Sequence, residues 1–458
     1  MPLKTPVTLR SRLFRAVRTA ALPLALCVAA PHAAHAQSTR FGDSTWVAPA
    51  PYSSEHGSPA DPGPRVAERD HERRWETALR TPFRVAFLPF RLIALGIEGA
   101  ADFAEAHFPL DEWSHAGSAG GSPKGGVSIA PQVSLSATEG FGAGASIKKP
   151  LGDPGSVLRT DFIWTTNDTR RARLRAVFGD GTRDVGASAL ALYDHRPNRR
   201  FYGIGNSAGT TRTIFFGRED RLDGSLFYGR NPFRRVSGII GLSDFDIGPG
   251  YNDKPRAIDV FGPNAAPYLD RGSRVWSVGV GGAFATIDRP HDPASGIHLF
   301  GEARHVMSAD GNDLTYDSYR AEGRGYVPVF SARRVVALRG VFEGVNPESG
   351  SGPIPFYRLP SSVHDDRFEG YSSNRFRDQR LTILQAEYRW LIWSNLWAFG
   401  LAQRGEVAPS TGALRWTSMH EAYGGGLRYQ LSKDQTARFE VAKGTQGLDI
   451  DLNLDASF

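Results

Sequence analysis

"RRARLRAVF", residues 170–178, places Arg171, Arg173 and Arg175 at alternate positions, with Ala172, Leu174, Ala176 and Phe178 between them. Alternation with period two marks a strand whose two faces meet different surroundings. A soluble sandwich alternates as well, so the surroundings of each face decide the fold. If the apolar face meets lipid, the register is fixed. Three arginines at mid-membrane would cost about 6–12 kcal/mol, at roughly 2–4 each, so they must face a polar lumen. An open sheet edge in hydrocarbon would leave N–H and C=O groups unpaired, and closure into a barrel is expected.

The same pattern recurs along the chain. In "LDIDLNLDASF" (448–458), Asp449, Asp451, Asn453 and Asp455 share one face, while Leu448, Ile450, Leu452, Leu454 and Phe458 share the other. In "TILQAEYRWLI", Gln385, Glu387 and Arg389 oppose Leu384, Ala386, Tyr388 and Trp390. In "YRAEGRGYV", Arg320, Glu322 and Arg324 share a face. The apolar faces are interspersed with Ala and Gly. Trp390, Trp393 and Trp397 gather around the turn "WSN", as in an aromatic girdle at a membrane interface. About sixteen strands are expected, starting near 126, 139, 155, 170, 184, 211, 235, 273, 295, 315, 333, 380, 395, 420, 435 and 448. Short connections ("SARR", "WSN") then alternate with long ones, of which 344–379 is the longest, as they do between the two sides of an outer-membrane barrel. The fold class expected is all-β: an antiparallel transmembrane β-barrel over 125–458.

The N-terminal region reads differently. Residues 1–36 carry a basic stretch, the apolar run "AALPLALCVAA" and the small-x-small site Ala34-His35-Ala36, the form of a cleaved export signal. The apolar run is too short to span a bilayer, and Leu26 before Cys27 is too bulky for lipoprotein processing. The formal charge of +6 owes five basic residues to this leader, and without it 49 Lys and Arg face 48 Asp and Glu. Nothing there points to nucleic acid. The single cysteine would leave with the leader. Residues 37–66 are rich in Pro, Ser and Gly, a composition of disorder. Residues 67–124 read as an amphipathic helical segment, to about 108, followed by a Gly/Ser-rich linker. Elsewhere no run of 18 apolar residues occurs, and mean hydropathy is −0.33. A hydrophilic average with 51 glycines suits a barrel whose polar lumen offsets its apolar exterior.

"FYGIGN" (201–206), "DRPHDPASG" (288–296), "RFEGYSSNRFRDQ" (367–379), "AEYRW" (386–390) and the terminal Phe458 follow one another in an order that resembles the barrel of the BamA/TamA superfamily, the bacterial surface antigen family. The resemblance covers about 126–458. It implies a sixteen-stranded outer-membrane barrel in a protein that inserts or exports proteins or lipids. Implied partners are outer-membrane lipids, the barrel assembly machinery during its own insertion, and a protein or lipid substrate. In that family the sixth extracellular loop folds into the lumen with an apolar-Arg-Gly-aromatic tip. Phe368, Glu369, Gly370 and Tyr371 fall at that tip, with a glutamate where the family has arginine. The arginine's usual aspartate partner aligns with Gln403. The paired change implies that Glu369 accepts hydrogen bonds from Gln403 or pairs with Arg389 or Arg404. Phe458 matches the terminal aromatic that outer-membrane barrels use as an assembly signal. Residues 37–124 lack a β-α-α-β-β pattern, so the chain resembles the subgroup without polypeptide-transport-associated (POTRA) domains. The alternative on the same scaffold is a passive pore or surface antigen.

Chemistry of other kinds finds little support. There is no G-x-S-x-G, H-E-x-x-H or P-loop, and no cysteine for zinc in the mature chain. "SADGND" (308–313) lacks the full ligand spacing of a calcium loop. His291, His298 and His305 are expected in turns and the lumen. No enzyme activity, metal or cofactor is expected.

Overall fold

Each of sixteen strands pairs antiparallel with its sequence neighbours in one continuous sheet. A computed structural model describes residues 127–454 except 137–139, 154, 232, 252–253, 289–292, 312, 362–367, 373, 394 and 433–434. The proposed leader, the segments 37–66 and 67–124, and Phe458 lie outside the described residues. So do the side chains of the first strand, of 140, of 430–432 and 435–437, and of 450–454.

The strands are β1 (Ser128–Ser136), β2 (Gly140–Pro150), β3 (Val157–Thr165), β4 (Arg170–Phe178), β5 (Val185–Phe201), β6 (Thr213–Tyr228), β7 (Arg234–Pro249) and β8 (Ser273–Ala285). There follow β9 (Gly296–Ser308), β10 (Thr315–Val329), β11 (Ser331–Pro347), β12 (Arg380–Leu391), β13 (Leu396–Ala408), β14 (His420–Ser432), β15 (Gln435–Gly444) and β16 (Gly447–Leu454). A short helix, α1 (Ala257–Phe261), lies between β7 and β8. Every strand starts within two residues of its expected position.

Alternation is visible in the burial of each wall. On β12, Leu381, Ile383, Gln385, Glu387, Arg389 and Leu391 are buried, while Leu384, Ala386 and Tyr388 are exposed. On β4, Arg171 is buried on the inward side, whereas Leu174 and Phe178 are exposed on the outward side. Apolar residues exposed in this way on many strands form a continuous outward surface.

Two expectations about the turns change. "SARR" belongs to β11, and the connection from β10 is Phe330 alone, at φ 63°. Trp397 is buried with Tyr326, Val335 and Leu391 on the inner wall. Parity explains it: Trp397 stands six residues from Gln403 on the same strand, so both point inward. Trp390 keeps its outward place, with the Arg334 guanidinium over its ring at 5.1 Å.

Many inward charges are paired within their own strand. Arg159–Asp161, Arg196–Asp194, Arg221–Asp223, Arg304–Glu302, Arg320 and Arg324 with Glu322, Arg389–Glu387 and Arg438–Glu440 all meet at 2.5–2.9 Å. Residues i and i+2 share a face of a strand, so an arginine can fold along the wall onto its neighbour.

The sheet curls until distant strands meet through their connections. Asn206, between β5 and β6, donates through Nδ2 to the Ser418 carbonyl at 2.8 Å, between β13 and β14. The Val407 amide donates to Asn206 Oδ1 at 3.2 Å. His420 Nε2 lies 2.9 Å from the Asn206 carbonyl. Among the described residues no ladder joins β1 to β16, so the expected closure is not made by strand pairing there. The curl is held by loops across the lumen.

Candidate functional site: a loop anchored on both walls of the lumen

The connection between β11 and β12 carries five buried aromatics in two groups. Nearer β11, Phe356 and Tyr357 occupy a single 3-10 turn in "PIPFYRLP", where flanking prolines hold the backbone extended on either side. Phe356 is wholly buried and sits edge-on to Phe201 and Phe215, with centroids 4.8 and 5.1 Å away. Tyr357 stacks on Phe245 at 4.0 Å and 9°. Leu269, Val306, Leu314 and Ile354 complete this cluster. Burial raises the pKa of the Tyr357 hydroxyl. Arg358 reaches the wall, donating to Ser243 Oγ at 2.9 Å and lying 3.5 Å from Glu219. The cluster therefore draws on β5–β11 and on the connections before β8 and β10.

The second group is the expected tip. Phe368 and Tyr371 stack at 4.6 Å and 3°, and Phe376 packs edge-on to Tyr371 at 5.2 Å. They are buried with Val341, Leu381, Ile383, Val407 and Ala422, which line the inner wall of β11–β14. The Tyr371 hydroxyl donates to the Glu421 carbonyl at 2.8 Å. Gly370 has φ 75°, and a Cβ there would stand 2.7 Å from the Gly444 amide nitrogen. Backbone meets backbone at this point, so only glycine fits on either side.

Gln403 lies at the tip, with the donor and acceptor reversed from expectation. The Glu369 main-chain N–H donates to Gln403 Oε1 at 2.9 Å. Gln403 is 2% exposed, and its Nε2 has no hydrogen-bond partner among the described residues. Glu369 is one of the charges acting on Arg438. Arg389 lies deeper in the lumen and pairs with Glu387, which also meets Arg438 at 2.7 Å. Arg389 Nη1 is 3.5 Å from the Pro293 carbonyl, in the turn at the far end of the barrel. Arg404 does not line the lumen. It follows Gln403 directly, so it points outward, where it pairs with Glu421 and lies over Trp416.

Just after the tip, on either side of Phe376, the loop is tied to the β5–β6 connection. Arg375 Nη2 donates to the Ala208 carbonyl at 2.7 Å, and the Gly205 amide donates to the Arg377 carbonyl at 2.8 Å. Arg377 also holds the loop together, donating to the Phe356 carbonyl at 2.7 Å and Asn374 Oδ1 at 2.8 Å. Burial lowers the Arg375 pKa and raises that of the Asp378 carboxyl. Beneath the loop a polar cavity of about 230 Å³ remains, lined by Asp223, Arg304, Glu343, Tyr357 and Arg358 among others.

The Phe356–Leu359 anchor was not anticipated, although an aromatic pair within a Pro-rich loop raises the same question as the tip. Asn206 stood within a motif already singled out, and its side chain now has partners. Among the described residues no group of three His, Cys, Asp or Glu could hold a metal.

This strand number, loop position and tip geometry can be set beside solved structures. BamA from Haemophilus ducreyi lacking POTRA domains 1–3 superposes with a TM-score of 0.54 at 15% identity, over 72% of this chain and 69% of that one. The chain has a BamA-like barrel fold. Two CdiB structures also match: from Escherichia coli at 11% identity, 74% of this chain, 62% of that one and TM-score 0.47, and from Acinetobacter baumannii at 11%, 71%, 57% and 0.42. The chain thus spans under two thirds of either CdiB. No protein-family model matches the sequence, and neither does any curated protein. At these identities the likeness to BamA concerns the fold alone, an all-β membrane barrel.

Proposed function

We propose that the protein resides in the bacterial outer membrane and acts in membrane biogenesis, inserting or exporting a protein or lipid. The observation that carries this reading is the lumen loop. It is anchored on β5–β11 by Phe356 and Tyr357 and on β11–β15 by Phe368, Gly370 and Tyr371. A passive pore gains nothing from filling its own lumen with two aromatic clusters, whereas a barrel that works on its surroundings needs a fixed wall and a sealed interior. The fold likeness to BamA supports the same direction. The glutamate at the tip does not remove the lid contact, because the main chain of residue 369 makes the bond to Gln403. Export by the leader, and the lack of POTRA domains in 37–124, remain parts of this proposal.

The test is depletion of the protein in its native cell, followed by quantitative proteomics and lipid analysis of isolated outer membranes. A defined subset of outer-membrane proteins, or one lipid class, should fall several-fold before growth stops. An outer membrane unchanged in both respects, with altered solute permeability alone, would return the protein to the passive-pore reading.

A further inference from the structure

We propose that the outward face of β10–β14 forms a groove for one acyl chain of a membrane lipid, with the lipid's phosphate-bearing headgroup held at Arg404. The proposal rests on the barrel lying in a membrane and is independent of the biogenesis role.

The groove is a depression of about 470 Å³. Its floor is built from two adjoining rows of small residues. Gly323 faces Gly340 across β10 and β11, and Ala386 faces Ala402 across β12 and β13. Gly325 continues the floor, and Leu338, Leu384 and Tyr423 rise beside it. The glycines here are not explained by crowding. A Cβ at Gly325 would meet nothing within 4 Å, and at Gly323 and Gly340 only leucine methyls at 3.5 and 3.6 Å. None of the three has a positive φ. Glycine weakens a strand interior, so its repeated use where side chains would fit leaves open space as the outcome.

The groove has one polar end. Arg404 shares the outward face with Ala402, lies 4.6 Å from the Trp416 ring and pairs with Glu421, which also accepts from the Tyr423 hydroxyl at 2.7 Å. A lipid-facing arginine costs about 2–4 kcal/mol at mid-membrane but only about 0–1 near an interface. Arg404 therefore marks headgroup level on the loop side. The Arg334–Trp390 pair marks the opposite rim. From Arg404 on β13 to Gly323 and Gly325 on β10 the lining crosses three inter-strand spacings, about 14 Å at roughly 4.8 Å each, which sets the length of chain it can hold. Between the two rims the medium is lipid, so the occupant committed to is a lipid chain. The guanidinium has five N–H donors and spends one on Glu421, which leaves it able to engage a phosphate.

The experiment is native mass spectrometry of the full-length protein in detergent with added phosphatidylglycerol. Wild type should retain one lipid more than Ala402→Leu or the double variant Gly325→Leu/Gly340→Leu at matched activation. Ala303→Leu, on the outward face of β9 outside the groove, should retain as much as wild type. Arg404→Ala should lose the lipid at several-fold lower phosphatidylglycerol dilution. Heat-dependent gel mobility confirms that each variant is folded, and the two separate fillings guard against failure of one. Equal retention in wild type and both filled variants overturns the groove. Unchanged retention by Arg404→Ala overturns the headgroup assignment. A dimer of wild type that the fillings abolish would assign the face to a second copy and overturn the proposal.

Discussion

Gln403 shows how one buried residue can keep a contact when its chemistry has changed. It offers an oxygen to a main-chain donor, so the identity of side chain 369 is not what forms that bond. Replacing Gln403 with leucine would leave the Glu369 N–H buried without an acceptor, at a cost of about 1–3 kcal/mol. Tyr371→Phe removes a hydroxyl whose acceptor, the Glu421 carbonyl, also belongs to a strand ladder, and should cost about 0.5–1.5 kcal/mol. Protease cleavage between 344 and 379 on whole cells should therefore rank Gln403→Leu above Tyr371→Phe above wild type. A Gln403→Leu protein as resistant as wild type would show that the tip is held without this bond.

At the scale of elements, the strands were legible because lipid and lumen impose opposite demands on successive residues, and that period survives every turn. The tip of the loop could be located only through resemblance. The Phe356–Leu359 anchor has no period to reveal it, since its 3-10 turn is one turn long and its cluster draws on seven strands, β5–β11, and the connections between them. Parity alone places Arg404: a residue adjacent to an inward Gln403 must point outward. Among the described residues no ladder joins β1 to β16, while the loop contacts link the two walls across the lumen. The two anchors pack on different walls but are joined within the loop by Arg377, which donates to the Phe356 carbonyl, so their effects should couple rather than simply add. Phe356→Ala and Phe368→Ala should each destabilise the loop by about 3–5 kcal/mol while the other anchor keeps the lumen shut. Planar-bilayer recordings should show low conductance for wild type and both single variants, and sustained openings for the double. Openings of full size in either single variant would mean that one anchor carries the whole seal.

For the molecule as a whole, a curled sixteen-stranded sheet with loops packed across its lumen should resist detergent until heated. The protein should fractionate with outer membranes and migrate faster in unboiled than in boiled samples; recovery from the soluble periplasm, or identical mobility, would count against a membrane barrel. The same-strand ion pairs bear on how such a sheet comes into being. A strand that brings its own counterion can leave water as a nearly neutral ribbon, before any opposite wall exists to receive its charges. β4 has no such provision: Arg171 and Arg173 lie opposite Asp194 on β5 and Asp161 on β3. Those two aspartates already meet Arg159 and Arg196, so β3–β5 together keep an excess of arginine, and this stretch of wall cannot leave water as a neutral ribbon even as a three-stranded unit.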